Sequence, residues 1–387
     1  MRSHTENKYE ELMSATDDLA LIDHHCHGLL AESPDDDGFR LLATEADHLS
    51  DPGLETLDSP FGLAIRRICA PLLGLPRHVP VQEYIERRRE LGGAAVNDAL
   101  MSSGDFGLLL VDSGFVASPV MTPPEMQAAL GIPALEIVRL ERIAEQVAPS
   151  TTAATFITDF RAALADAAVD AVGFKSIVAY RYGFDISPEA PSENAVVQAA
   201  GEWLAEAERS GSYRLGHPII LQHLLWEAIP YGMPIQMHTG YGDSDIQLFR
   251  ADPSRATRFF EATRTSGAKF TLLHCYPFIR ESAILSQVFP HVYCDVGVVT
   301  HYLGPSAGTA VRQVMEIAPF NKVLFSTDAY GLAEHYAVSA AAWRRHLGTL
   351  LDEWIADDWT TADGARGIAR QIGVENARRI YRLETAS

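Results

Sequence analysis

Short β-branched runs that end in polar residues, amphipathic stripes between most of them, and no linker long enough to divide the chain predict an α/β fold. The form expected is a (β/α)8 TIM barrel with a helical insertion after strand one. At 387 residues the chain exceeds the ~250 that such a barrel needs. It is therefore read as a single barrel domain over 1–387, its surplus lying at about 29–103 as a helical lid over the C-terminal mouth. A doubly wound sheet is the alternative.

The strand candidates follow in order. The first is Leu19–Asp23, running into His24-His25-Cys26-His27-Gly28, and the second is Gly107–Asp112. The third lies in Ala134–Glu141, where Ile137 to Glu141 reads equally well as the start of a helix. Ala171–Val178, Pro234–His238, Phe270–His274, Val292–Val296 and Lys322–Asp328 complete the set of eight. Between them, Ser192 caps a stripe of Val196, Ala199, Ala200, Trp203 and Ala207 that Gly211 stops. Phe156, Phe160, Leu164 and Ala168 form a second stripe, and Leu221, Leu224, Leu225 and Ala228 a third. Continuous apolar strands alternating with such helices indicate a parallel sheet covered by helices.

Composition narrows the partners. The chain is 47% hydrophobic, enough for a sizeable core, and carries 31 Lys+Arg against 51 Asp+Glu, a net charge of −20. That balance argues against nucleic acid and anionic membranes as partners. No stretch approaches the ~18 apolar residues of a membrane span. Met1–Met13 contains no apolar leader segment, so the expected location is the cytoplasm. The four cysteines, Cys26, Cys69, Cys275 and Cys294, form no CxxC pair and fit a reducing compartment. A small-molecule substrate is the expected partner, and a homo-oligomer is open.

The polar residues fall where a barrel places its chemistry, at strand C-termini. His25 and His27 close strand one, and alternation puts both on one face with His24 and Cys26 on the other. Two imidazoles so placed suit a divalent ion of zinc type. Asp328, closing strand eight, is a carboxylate able to bind metal and shuttle a proton. His238 and His274 close adjacent strands as a second nitrogen pair, and Lys175 sits inside an apolar strand, where an unpaired charge is costly. Each has an ordinary reading too: a hydrogen-bonded rim histidine, a helix-capping aspartate, an ion-paired lysine or one turned toward the helices. The conjunction on strands one, four, five, six and eight favours a metal site.

With these residues in view, the chain resembles the amidohydrolase superfamily. The likeness rests on Asp23-x-His25-x-His27, Lys175, His238, His274 and Ser326-Thr327-Asp328-Ala329. Gly173–Arg181, Met237–Asp243 and Leu273–Phe278 liken it further to the amidohydrolase-2 type domain that some fungal and plant proteins fuse to a glutamine-synthetase-like domain; here a free-standing version is expected. The resemblance implies two divalent ions, most simply zinc. His25, His27 and Asp328 would hold one and His238 and His274 the other, with Lys175 bridging them as a CO2-derived carbamate. It implies hydrolysis of an amide-type C–N bond by a metal-bridging hydroxide, with Asp328 as the catalytic proton carrier.

A small substrate bearing a carboxylate, such as a γ-glutamyl amide, is expected by analogy. Arg181 and Arg280 are candidates for that carboxylate, or else structural ion pairs. Tyr241, like Tyr180, Tyr276, Tyr302 and Tyr330, is a candidate pocket wall, and His301 and His335 lie where they could reach the mouth. Arg139 and Glu141 are expected to pair internally. Rival readings are a mononuclear zinc decarboxylase or hydratase, a uronate-type isomerase, and a non-catalytic metal-stabilised module.

Overall fold

The computed structural model describes residues 16, 18–49, 51, 53–114 and 119–383. Met1–Met13, in which no leader is read, lies outside them.

In chain order the regular elements begin with β1 (Leu21–Cys26), α1 (Asp36–Leu42), α2 (Pro60–Leu72), α3 (Val81–Leu91) and α4 (Gly93–Ser102). There follow β2 (Phe106–Asp112), α5 (Pro123–Leu130), β3 (Ala134–Arg139), α6 (Leu140–Val147), α7 (Phe156–Ala167), β4 (Ala171–Ser176) and α8 (Val178–Arg181). Then come α9 (Glu193–Ser210), α10 (Pro218–Ala228), β5 (Pro234–Thr239), α11 (Thr257–Ala262), β6 (Lys269–His274), α12 (Ile279–Val288) and β7 (Val292–Cys294). The last are α13 (Gly297–Tyr302), α14 (Ala307–Met315), α15 (Ala333–Ala356), α16 (Ala362–Arg370) and α17 (Asn376–Tyr381). The fold is mixed α/β with a seven-stranded parallel sheet whose strands follow chain order.

Local chemistry explains the element ends. The Ser192 hydroxyl accepts the Ala195 N–H to open α9, and Gly211 closes it in the left-handed region at φ +73°. Both ends match the sequence reading. β1 and β5 are buried at every position, so their polar side chains must find partners inside the fold.

The described residues divide into two compact units, one reaching Val111 and comprising also 119–135 and the chain from Asp295, the other Asp112–Gly114 with Glu136–Cys294. In the first unit β1 pairs with β2, Asp23 opposite Leu109 and Cys26 opposite Val111. The expected eighth strand, Lys322–Asp328, is not a regular strand here. Its backbone nevertheless bonds to β1: the His24 N–H donates to Phe325 O at 3.2 Å and the Asp328 N–H to His25 O at 3.0 Å. Regular pairing fails because the Thr327 N–H turns to the Asp23 carboxylate instead, at 3.0 Å, and Asp328 takes a left-handed φ of +51°.

Within 29–103 lie α1 to α4, of which α2 and α4 pack on α15. A buried ion pair fastens α3 to the same helix: Arg88 Nε lies 2.6 Å from Glu334 Oε1, which also accepts the Tyr84 hydroxyl at 2.8 Å.

In the second unit the ambiguity at Ile137 resolves in favour of strand, with helix beginning only at Leu140. The expected Arg139–Glu141 pairing gives way to other partners, because the chain passes from strand to helix between the two residues. Arg139 Nη2 bonds Asp112 Oδ2 at 2.6 Å, while Glu141 Oε1 accepts the Ser176 hydroxyl at 2.7 Å and the Ile177 N–H at 3.0 Å.

Glu334→Ala strips a buried guanidinium of its carboxylate. It should lower unfolding stability by about 3–5 kcal/mol, read from urea denaturation; a loss under about 1 kcal/mol would mean the pair does not anchor the inserted helices.

Candidate metal site

β1 sorts its polar residues by alternation. His25 and His27 share one side, with ring centroids 5.2 Å apart and planes at 81°. His25 Nε2 stands 2.9 Å from Asp328 Oδ1, and His27 Nε2 3.5 Å from the same oxygen. One donor atom from each of the three residues lies within 4.8 Å of the others. His25 is fully buried, whereas His27 and Asp328 keep 11% and 14% of their side chains exposed, so the group is reachable from one direction. Two neutral-capable imidazoles and a carboxylate at this spacing fit a divalent ion of the zinc class and leave a coordination position for water or substrate.

Asp328 needs its odd backbone to reach this place. A left-handed aspartate costs of order 1–3 kcal/mol unless its surroundings impose it. Here they do. Besides the Asp328 N–H to His25 O bond, the His27 N–H donates to Ala329 O at 2.8 Å. The fully buried Asp23 carboxylate accepts the Thr327 hydroxyl at 2.5 Å, the Thr327 N–H at 3.0 Å and the His25 N–H at 3.3 Å. Burial pushes the Asp23 carboxyl up to about 8, against the downward pull of the Thr327 bonds.

The other face of β1 is structural. His24 Nε2 lies 2.8 Å from Asp295 Oδ2 and its Nδ1 3.0 Å from the Tyr381 hydroxyl. Cys26 Sγ faces Leu110 O at 3.5 Å. Both therefore point where alternation sends them.

His301 and His335 stack on one another at 4.6 Å between centroids, within the electrostatic reach of Asp328. Phe61, from the inserted α2, stacks on His335 at 4.9 Å. His301 Nδ1 is 2.9 Å from Ser339 Oγ, and His335 Nδ1 is 3.1 Å from Tyr330 O. Burial, with His335 alongside, drives the His301 imidazole well below its usual range. Burial likewise takes His335 down to about 4. Both are neutral at physiological pH and can donate or accept a hydrogen bond.

The second unit holds the other sequence candidates. Lys175 is 2% exposed, in register with Arg139 of β3 and Gln236 of β5. The His238 ring lies 4.2 Å from that of Tyr180 and 4.7 Å from that of His274. Register pairs Thr239, not His238, with His274, so a pleated β6 would aim the two imidazoles to opposite faces. The left-handed φ of +67° at His274 brings them together. A Cβ at Gly242 would fall 1.9 Å from the Tyr180 hydroxyl oxygen, so any larger residue there would displace that ring.

The remaining candidates are placed less centrally. Arg181 is ion-paired with Glu145, Nη2 to Oε1 at 3.3 Å, and burial lowers its guanidinium. Arg280 is exposed on α12. Tyr241, half-buried, meets Tyr276 edge-on at 6.5 Å. Sequence reasoning passed over Phe61, Asp295 and the Asp23–Thr327 bonds. Asp295 carried a usable signal, an acid closing strand seven as Asp328 closes the eighth run; Phe61 carried none.

This fold brings a His-x-His pair and an aspartate to one position, the arrangement of a metal-dependent enzyme. A family model described as Amidohydrolase matches residues 149–383, and the chain belongs to that family. It is accordingly an enzyme of a family that uses a divalent metal. Protein fluG of Emericella nidulans is 26% identical over 405 residues, covering 94% of this chain and 46% of that protein. The chain thus spans about half the length of the curated relative it matches.

Among solved structures, a Lactobacillus casei ATCC 334 protein assigned as a metal-dependent hydrolase shares 28% identity at a TM-score of 0.83, covering 97% of this chain and 99% of the other. A uronate isomerase from Bacillus halodurans C-125 shares the fold, with TM-score 0.67, 15% identity and coverages of 99% and 98%. No helix among the described residues is long and apolar enough to cross a membrane.

Thr327→Val keeps the shape but removes the hydroxyl that fixes Asp23. Zinc affinity, measured by competition with a chelating dye, should fall about 10–100-fold. Unchanged affinity would mean that Asp23 does not orient the ligand group.

Proposed function

We propose that the chain hydrolyses an amide-type C–N bond of a small carboxylate-bearing substrate, with γ-glutamyl amides the first to test. The observation that carries the reading is the convergence of His25, His27 and Asp328 on one position, together with the 28% identity to the Lactobacillus casei hydrolase. His25, His27 and Asp328 would hold a divalent ion, zinc by their donor chemistry. When bound, that metal supplies a Lewis acid and makes water acidic enough to ionise near neutrality.

Asp328 is the proposed proton carrier. Its Oδ1 already faces two imidazole nitrogens, and its partial exposure lets it reach an incoming group. It would take the proton of the attacking water and give it to the departing nitrogen, which leaves poorly as an anion. His301 and His335, held neutral by burial, are proposed as hydrogen-bonding contacts to substrate.

Lys175, His238 and His274 are proposed as ligands of a second ion, on the order of the motifs along the chain and on family membership. Carboxylation of Lys175 by CO2 fits its setting. Lys175 is buried, and a carbamate on it would present an anionic oxygen suited to a divalent ion. Arg280, Arg181 and Tyr241 are proposed as substrate contacts, with Arg181 first having to leave Glu145. We read 322–328 as the eighth element of a (β/α)8 pattern, on its backbone bonds to β1, and 29–103 as a lid.

Elemental mass spectrometry on protein purified without chelators should find about two ions per chain, and amine release should follow from γ-glutamyl amides. Asp328→Asn should lower kcat by about 10²–10⁴, and Lys175→Ala should lose one ion and turnover together. One ion with no amide turnover would sink the reading in favour of decarboxylation or isomerisation.

A further inference from the structure

A cavity of about 690 Å³ opens in the first unit between α2 and α15. Its floor is apolar, from buried Ala64 and half-buried Ile68 on one helix and buried Val338 and Ala342 on the other. None of His25, His27 and Asp328 lines it. The volume lies within the roughly 300–1,000 Å³ typical of small-molecule sites.

Its rim is cationic. Arg67, Arg77 and Arg345 stand around the opening, His78 and His346 join them, and no acidic side chain lines the cavity. Arg312, also on the first unit, is by contrast matched to Glu353. Arg67, Arg77 and Arg345 have no such partner among the described residues. Burial first, and then the guanidinium groups of Arg345, Arg67 and Arg312, hold the His346 imidazole below its usual range. In a chain of net charge −20, a patch of one sign over an apolar floor is the exception.

We propose that this cavity binds a small anionic amphiphile: a single carboxylate or phosphate head on the arginine rim, and an apolar body of several carbons against Ala64, Ile68, Val338 and Ala342. Planar guanidinium forks match both head groups by paired hydrogen bonds. The apolar lining accounts for a tail, as a bare inorganic anion would leave it wet. A second copy of the chain meeting this face symmetrically would set arginines against arginines.

Isothermal titration calorimetry with octanoate, octyl phosphate and, as the neutral control, 1-octanol tests the proposal on the intact chain. One or both anions should bind at one per chain, the better one naming the head group, with 1-octanol at least about tenfold weaker. Arg67→Gln with Arg345→Gln should weaken anion binding at least about tenfold, while Arg67→Lys with Arg345→Lys retains part of it. Binding should persist in Asp328→Asn, separating this cavity from the metal-ligand group. No binding of either anion overturns the proposal. So do equal binding of the alcohol, binding untouched by the glutamine pair, and a dimer in light scattering that the glutamine pair dissolves.

Discussion

The Asp23 carboxylate is the fixed point of the first unit. It lies fully buried on β1 and is met by two donors from Thr327 and one from the His25 backbone. A carboxylate in such a place is tolerated only when its lone pairs are satisfied. Satisfying them draws the 323–328 segment out of regular strand pairing and onto β1. The next residue, Asp328, is then carried into a left-handed conformation beside His25. The grouping of His25, His27 and Asp328 is thus a consequence of one structural carboxylate, and its accuracy depends on a residue outside the group.

The rest of the first unit buttresses this arrangement. His24 reaches Asp295 and Tyr381, so the face of β1 turned away from the ligands is held as firmly as the face that carries them. The helix α3 is joined to α15 through Arg88, Tyr84 and Glu334. Because α15 also carries His335, the buried ion pair and the Phe61–His335–His301 stack belong to one packed layer. A segment that looks optional in sequence therefore shapes the surroundings of Asp328.

The second unit solves a different problem, how to keep cations buried. Arg139 is offset by Asp112, and Arg181 by Glu145. Glu141 is held by Ser176 and the Ile177 backbone. Lys175 lies buried in register between Arg139 and Gln236.

The sequence by itself determined the order of seven strands, their positions to within a few residues and the ends of α9, because hydrophobic period, caps and glycines act over a few neighbours. It also determined the ligand candidates, since His25 and His27 share a face by alternation alone. Only the tertiary structure decided what depends on distant partners. It decided that the eighth run forgoes strand geometry for a bond to Asp23, and that Arg139 takes Asp112 rather than Glu141. It decided that Phe61 reaches His335, and that His274 meets His238 against the pleat. Each of these pairs residues far apart in the chain or turns a residue through a positive φ, and neither leaves a periodic trace in sequence.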